Sequence, residues 1–221
     1  MKTYALTTLT ALLLVAACAQ AAESPQTSET RPLGSFDQVK AARGLDVTIV
    51  CGGTPQAKIE GTAADVADVE LRLQGHTLTV GRASTFGGHS RPVHVELTSP
   101  KPLDLLHASS GGSLKVPACA VSTDHLNLES SSGGTLRLAG STGRLVAEAS
   151  SGGDIKPLAG ERIDAASADL SASSGGSIRL CKVSNMSGHA SSGGDITTEP
   201  GGTANEIHSS SGGSIGTKSC S

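Results

Sequence analysis

The sequence has almost no aromatic residues. Its 221 residues include two Phe, one Tyr and no Trp, and the single tyrosine, Tyr4, lies in the N-terminal leader. Large globular cores use aromatic side chains heavily, because each one buries a large area. We therefore expect a thin core built from Leu, Ile, Val and Ala. Without aromatic side chains or a basic patch, the chain also lacks the features of a nucleic-acid-binding protein.

The chain also lacks a long hydrophobic run and a large net charge, which is formally −3. The apolar run in the leader is too short for a membrane span and is typical of a secretory signal, assigned to residues 1–21. Two cleavage sites fit. Val15-Ala16-Ala17-Cys18 resembles a bacterial lipobox, which would leave a lipid anchor on Cys18, whereas Ala19-Gln20-Ala21 resembles an ordinary small-residue site. Both predict export to the periplasm or outer surface of a Gram-negative bacterium, with membrane contact only through a lipid on Cys18.

Four cysteines follow the leader, an even number in a chain predicted to enter an oxidising compartment. They predict two disulfides, for which three connectivities are open; free buried thiols are the alternative. None of the four shares a C-x-x-C spacing, so a metal site is the weakest interpretation and no cofactor is expected. These residues are Cys51, Cys119, Cys181 and Cys220.

The first third of the mature chain has strand patterns and two breaks. A polar, proline-containing segment, 22–33, is typical of a tether, and Thr62 is suited to cap a short helix. Residues 81–92 are expected to form a loop and 218–221 a C-terminal tail. Alternation or a strand composition predicts strands at 45–50, 57–61, 76–80 and 93–100.

The motif Ser-Ser-Gly-Gly then occurs six times. Successive copies are 18 to 23 residues apart, a period typical of a solenoid. The leucine ladder of leucine-rich repeats and the short period of calcium-binding nonapeptide arrays are both absent. The first glycines of the six copies are Gly111, Gly133, Gly152, Gly175, Gly193 and Gly212.

Polar and apolar residues alternate on both sides of each motif, so two short strands flank a sharp bend. Consecutive β-hairpins would also contain glycine turns. However, hairpins do not explain why each aligned position keeps its own character from copy to copy. We predict an all-β, single-stranded parallel β-helix with coils of about 20 residues over 104–217, preceded by a β-rich N-terminal cap. The glycine pair would turn each corner through its freedom in φ.

Stacked coils would arrange side chains in columns along the rod. One column holds cations, which repel one another unless acids or an anionic partner lie beside them. It is the best candidate for a ligand surface, with acidic polysaccharide as the ligand class, and consists of Lys115, Arg137, Lys156 and Arg179. A second candidate column contains His107, His189 and His208. Asp154 and Asp195 share a third column, which leaves a carbohydrate-active enzyme open as an alternative.

Phe36-Asp37-Gln38-Val39, "LDVTIVCGG", "AKIEG", "VHVELTSPKPLDLLHASSGGSL" and the later Ser-Gly-Gly corners resemble the family described as putative auto-transporter adhesin head domains, or GIN domains. The resemblance covers residues 34–217. It implies a β-helical head at or near the cell surface that contacts polysaccharide or protein, and it supplies no catalytic residues. The chain departs from the family pattern in doubling the serine and glycine and in carrying the four cysteines. An envelope structural protein without a ligand is a further alternative.

Overall fold

The computed structural model of the protein describes residues 26–83 and 93–220. The leader, with Cys18, and most of the predicted loop at 81–92 lie outside the described residues. The described residues form a nearly all-β structure, as expected from the alternating side chains. The strands form one sheet of ten and one of nine, which face each other across a narrow interior.

The ten-stranded sheet contains, in spatial order, β1 (Gln26–Pro32), β4 (Gln56–Thr62), β7 (His94–Ser99), β3 (Asp46–Cys51), β9 (Ser113–Val116), β11 (Thr135–Leu138), β13 (Asp154–Pro157), β15 (Ser177–Arg179), β17 (Asp195–Thr198) and β19 (Ser214–Thr217). The nine-stranded sheet contains β18 (Thr203–Ser209), β16 (Val183–Ser191), β14 (Ile163–Ser173), β12 (Gly140–Ala149), β10 (His125–Ser130), β8 (Leu105–Ala108), β2 (Gln38–Ala41), β6 (Thr77–Arg82) and β5 (Val69–Gln74).

Each Ser-Ser-Gly-Gly motif leads from a strand of the nine-stranded sheet to a strand of the ten-stranded sheet. Neighbouring coils pair in parallel and in register, so that Leu136 lies between Leu114 and Ile155. This confirms the predicted parallel β-helix and excludes consecutive hairpins. The corner itself is a tight turn, in which the N–H of Gly112 donates to the carbonyl of Ser109 at 2.9 Å.

The two glycines of the motif have different tasks, which corrects the prediction that both supply unusual φ values. Positive φ falls on the second serine and the first glycine, as at Ser151 (50°) and Gly152 (74°). The second glycine, Gly153, is required by stacking: a Cβ there would lie 2.2 Å from the carbonyl oxygen of Ser130 in the preceding coil. Only a residue without a side chain allows such a close approach.

A seventh corner was not predicted from the sequence, because it lacks the motif. It joins β2 to β3, and its residues of positive φ are Arg43 (59°) and Gly44 (69°). The N–H of Gly44 donates to the carbonyl of Ser110 at 3.1 Å, which continues the corner ladder of the later coils. The coil of β2 and β3 therefore belongs to the solenoid.

The N-terminal cap is β-rich, as predicted, and closes one end of the rod with antiparallel strands. The chain leaves the coil of β2 and β3, forms β4, the helix α1 (Ala63–Asp68) and β5, and returns through β6 and β7. The hydroxyl of Thr62 accepts the Asp65 N–H at 3.3 Å, which confirms it as the helix N-cap. Buried Arg82 lies 3.4 Å from Asp65 and 3.6 Å from Asp68.

Residues 26–32 of the predicted tether form an edge strand instead. Strand β1 pairs antiparallel with β4 along its whole length. Arg31 fixes it to the cap, donating to the carbonyls of Val66 (3.0 Å) and Val69 (2.6 Å) at the C-terminus of α1. Pro32 has no backbone N–H to donate, which an edge strand tolerates because one of its sides faces no further strand. Composition alone did not distinguish such a strand from a tether.

The core is aliphatic, as expected from the lack of aromatic residues. Phe36 is the only aromatic side chain buried among the described residues, and columns of Leu, Ile, Val and Ala fill the rest of the interior. Over the same part of the chain, no helix has both the length and the apolar character needed to span a bilayer.

Candidate functional site

The cation column lies on the outer face of the ten-stranded sheet, as the repeat alignment predicts. Strand register places Arg137 directly between Lys115 and Lys156, and Arg179 next to Thr197. Alternate residues of these strands are buried, so the cationic side chains point away from the core. Successive members are separated by the strand spacing of about 4.8 Å.

Acids neutralise two members of this column and leave the other two uncommitted. Lys115 Nζ lies 3.0 Å from Asp46 Oδ2 on a neighbouring strand, and Lys156 forms an ion pair with Asp154. Arg137 and Arg179 are exposed. Within residues 26–83 and 93–220, neither guanidinium has an acidic partner. Two free cations thus lie about 9.5 Å apart along the rod.

A shallow depression of about 100 Å³ extends from the column beside Arg179. Three cations line it, namely Lys156, Arg179 and Lys218. The remaining lining residues bear no charge: Pro157, Leu158, Ala159, Ser219 and Cys220. The depression is small and basic, with apolar walls, which suits one anionic group of a larger ligand.

Lys218 was missed in the sequence, because it follows the last repeat and belongs to the predicted tail. Three interactions hold this segment against the rod. The N–H of Lys218 donates to the carbonyl of Thr198 at 2.8 Å, and the Cys181–Cys220 disulfide ties Cys220 to the link between β15 and β16. The N–H of Cys220 also donates to Glu199 Oε1 at 3.0 Å. The tail is therefore anchored up to Cys220.

The four predicted cysteines form two disulfides, and the structure selects one of the three connectivities. Cys181 pairs with Cys220, and Cys51 pairs with Cys119 across a separation of 68 residues. The second bond joins the end of β3 to the short 3₁₀ helix Ala118–Ala120, which follows the first repeat corner. It therefore links the coil of β2 and β3 to the first repeat coil.

The histidine column lies on the opposite face of the rod, on the nine-stranded sheet. His107 stacks between Lys40 and Glu129, and His189 lies next to His208. His107 Nδ1 is 3.3 Å from Glu129 Oε2. Burial lowers the pKa of His107, an effect that Glu129 opposes and Lys40 reinforces. The column therefore mixes both signs of charge and offers no uniform surface.

A second depression, of about 210 Å³, lies on this face and has Ser171, Ser187 and Gly188 in its lining. Glu148, Asp169, His189 and Glu206 are among its lining residues. Asp169 already binds Arg144, whose Nη2 is 2.9 Å away. No three or more His, Cys, Asp or Glu side chains in the described part of the chain are arranged to hold a metal ion.

Asp154 and Asp195, the residues behind the enzyme alternative, do share a column, with Ser177 between them. Each is held by a local partner. Asp154 pairs with Lys156, whereas Asp195 accepts the hydroxyls of Thr197 (3.1 Å) and Ser214. A general base or nucleophile needs a carboxylate that can reach the substrate, and both of these carboxylates are engaged within the ladder.

Comparison with known proteins gives one family and several solved structures. Residues 35–218 match the family described as "Putative auto-transporter adhesin, head GIN domain". No curated protein gives a match.

Two similar structures are those of a "putative adhesin" from Bacteroides fragilis and another from Parabacteroides distasonis. The first shares 14% identity with a TM-score of 0.69, over 89% of this chain and 98% of that one. The second shares 12% identity with a TM-score of 0.45, over the same shares of the two chains. At this identity the first structure shows a common fold and no more.

Proposed function

Because the chain belongs to the auto-transporter adhesin head (GIN) domain family, and is an adhesin-like β-helical module, we propose that it binds acidic polysaccharide. The binding face is the outer face of the ten-stranded sheet. One observation carries the proposal: Arg137 and Arg179 lie on this face without an acidic partner in the described residues, next to the basic depression that contains Lys218.

Charge makes this face distinctive. The whole chain has a formal charge of −3, so a local group of free cations contrasts with its surroundings and can orient a polyanion. Guanidinium groups suit carboxylates and sulfates, since their planar donors can form paired hydrogen bonds. A linear polymer lying along the rod would meet the two free cations about 9.5 Å apart, and several weak contacts would add up to useful affinity.

The proposal is tested with polygalacturonate as the polyanion and its methyl-esterified form as the uncharged polymer. We expect the first to bind and the second not to bind in isothermal titration calorimetry. The variant R179Q/K218Q removes two exposed contacts of roughly 1 kcal/mol each, which would weaken binding about thirtyfold. Higher ionic strength should weaken binding of the unmodified protein as well.

A matched control removes the same charge from the opposite face. The variant K40Q/R144Q changes two cations on the outer face of the nine-stranded sheet. It should leave binding to polygalacturonate unchanged. Equal losses in the two double variants would show that only net charge matters, and binding of the methyl-esterified polymer would show that the cations are not the contact.

The proposed activity is binding without chemistry on the ligand. Asp154 and Asp195 are engaged with neighbouring side chains, and the basic depression has no carboxylate among its lining residues. Incubation with the bound polymer should leave its chain length unchanged, as followed by size-exclusion chromatography. Shortened polymer, abolished by Asp154→Asn or Asp195→Asn, would assign an enzyme instead.

The proposed site of action is the cell envelope, in the periplasm or on the outer surface of a Gram-negative bacterium. This follows from the secretory leader and the adhesin family. The intact mass of the mature protein distinguishes the two leader cleavages, since lipobox processing would add acyl chains to Cys18 and ordinary cleavage would remove that residue.

A further inference from the structure

The two ends of the rod differ in how their strand edges are protected. At the N-terminal end the edge strands β1 and β5 carry charged residues, including Glu29, Arg31 and Arg72, and helix α1 packs beside them. Charged edge strands and covering elements are the usual protection against edge-to-edge pairing. This end is built to stay unpaired.

The other end is less protected: β18 carries one acid, Glu206, and a bulge between Ala204 and Glu206, but no helix is adjacent to it in the described residues. Strands β18 and β19 form its two edges, and each pairs with only one neighbour among the described strands. β19, with the sequence Ser-Ile-Gly-Thr, has no charged residue, and every residue of β18 is exposed. Ile207 is 40% exposed although its column is buried in the preceding coils. We call the surface formed by β18 and β19 the open end.

Two isoleucines mark the centre of the open end. A methyl group placed on Gly188 would lie 3.3 Å from Ile207 Cδ1 and 3.3 Å from Ile215 Cδ1. The side chains of Ile207 and Ile215 therefore converge from the two sheets on one point of the interior. An axis through both residues crosses the rod at a right angle and passes through both edges.

We propose that the open end binds the open end of a second copy of this chain, related by a two-fold axis through Ile207 and Ile215. This symmetry reverses the strand direction, so β18 pairs antiparallel with its counterpart, as does β19. Both sheets then continue from one copy into the next, and the free backbone groups of both edges gain hydrogen bonds.

Side-chain chemistry favours a second copy as the occupant. With Ile207 opposite Ile207 of the mate, Glu206 lies opposite His208 of the mate, and the reciprocal pair forms on the other side of the axis. Glu206 and His208 belong to the outer columns of the sheet, at positions that pair with Ser187 and His189. A carboxylate directly across an antiparallel ladder can accept a hydrogen bond from an imidazole N–H, whereas like charges there are destabilising. The edge is thus complementary to itself.

The dimer has a consequence for the face proposed to bind polysaccharide. A two-fold axis perpendicular to the sheets keeps the two ten-stranded sheets on the same side of the double rod. Arg137 and Arg179 of both copies would then face the same polymer. Dimerisation does not depend on this, however, because the open-end contacts involve other residues.

The test follows the oligomeric state of the full chain by sedimentation velocity over a concentration series. We expect a dimer, and Ile207→Lys should return it to the mass of one chain, because two charges would meet at the axis. The matched control is Leu73→Lys, an equally exposed leucine (38%) on the edge strand β5 at the other end. L73K should still dimerise. A wild-type monomer throughout, or disruption by L73K instead of I207K, would overturn the proposal.

The pairing register is tested by charge exchange. H208E places a glutamate opposite Glu206 of the mate in each of the two symmetric pairs and should raise the dissociation constant of the dimer by about tenfold. The double variant E206K/H208E brings opposite charges together only if residues 206 and 208 pair across the axis, so it should recover the wild-type constant. A double variant as weak as H208E would refute this register. Circular dichroism confirms that each variant is folded.

Discussion

Three adjacent residues in one corner allow the logic of the repeat to be measured directly. In the third motif, Ser151 has a positive φ, Gly152 has a positive φ with no atom near its missing side chain, and Gly153 stacks against the carbonyl of Ser130. We expect the variants Ser151→Gly, Gly152→Ala and Gly153→Ala to have different effects on stability, although they change neighbouring positions by one methyl or hydroxymethyl group.

The magnitudes follow from these environments. A non-glycine residue in the left-handed region costs about 1–2 kcal/mol, and glycine costs about 0.5–1 kcal/mol of extra chain entropy on folding. G152A should therefore destabilise by about 1 kcal/mol, and S151G should stabilise by up to about 1 kcal/mol. The methyl group of G153A would lie 2.2 Å from a backbone oxygen. The coils must separate there, so overpacking adds about 1–3 kcal/mol and two strained interstrand hydrogen bonds about 1 kcal/mol each, or about 3–5 kcal/mol in total.

The assay is urea denaturation followed by far-UV circular dichroism, since the sequence has no Trp and its one Tyr lies in the leader. Midpoints convert to free energies where the slope m is unchanged. The order of stability should be S151G, wild type, G152A and then G153A. If G153A were no more destabilising than G152A, the close approach of the preceding backbone would not be the reason for the second glycine.

Further predictions concern the disulfides and His107. Replacing Cys51 and Cys119 with serine frees a long loop, which should lower the free energy of unfolding by about 2–4 kcal/mol and leave polygalacturonate binding unchanged. Replacing Cys181 and Cys220 with serine should lower both stability and affinity for polygalacturonate, because it frees Lys218. Urea denaturation measures the stability of each variant, and calorimetry measures its affinity. His107 has a lowered pKa in the folded protein, so the unfolded chain binds more protons, and the contribution of His107 to stability is present above its unfolded pKa and lost as the pH falls below about 6.5. His107→Gln should flatten this part of the stability profile in acid denaturation, and an unchanged profile would contradict the assignment.

The repeat region was predictable because its information is local and repeated. An apolar residue follows every Gly-Gly-X segment, from Leu114 to Ile215, and one instance would have been ambiguous between hairpin and coil. Six aligned instances distinguish stacked coils from hairpins, since only stacked coils require each position to keep its polar or apolar character. The cation column followed from the same alignment, and the structure places Lys115 and Arg137 directly side by side.

The cap and the details of the site depend on contacts between distant residues, which no local pattern reveals. Strand β2 lies between β6 and β8. The chain therefore forms the coil of β2 and β3 first, and β6 and β7 are added on its outer side afterwards. Asp46 neutralises Lys115, although the two residues are 69 positions apart in the sequence. Lys218 is held beside the column by the Cys181–Cys220 disulfide, a pairing that the sequence does not determine. The left-handed serine in each corner was also not predictable, since serine is normally unfavourable there.

Corner positions and outward positions have different roles in each coil, which explains how such a fold can present a binding face. Corner positions cannot change freely. Any residue larger than the second glycine would overlap the backbone of the preceding coil, as at Gly134 and Gly153. The outward positions have no such constraint, and the cation column accordingly continues as Thr197 and Gly216 without disturbing the register. Charge on the outer face is therefore decoupled from folding. The free cations at Arg137 and Arg179 are not needed to hold the coils together, since the hydrogen-bonded ladders and the aliphatic columns do this already, and both are therefore available to the polysaccharide that we propose as the ligand.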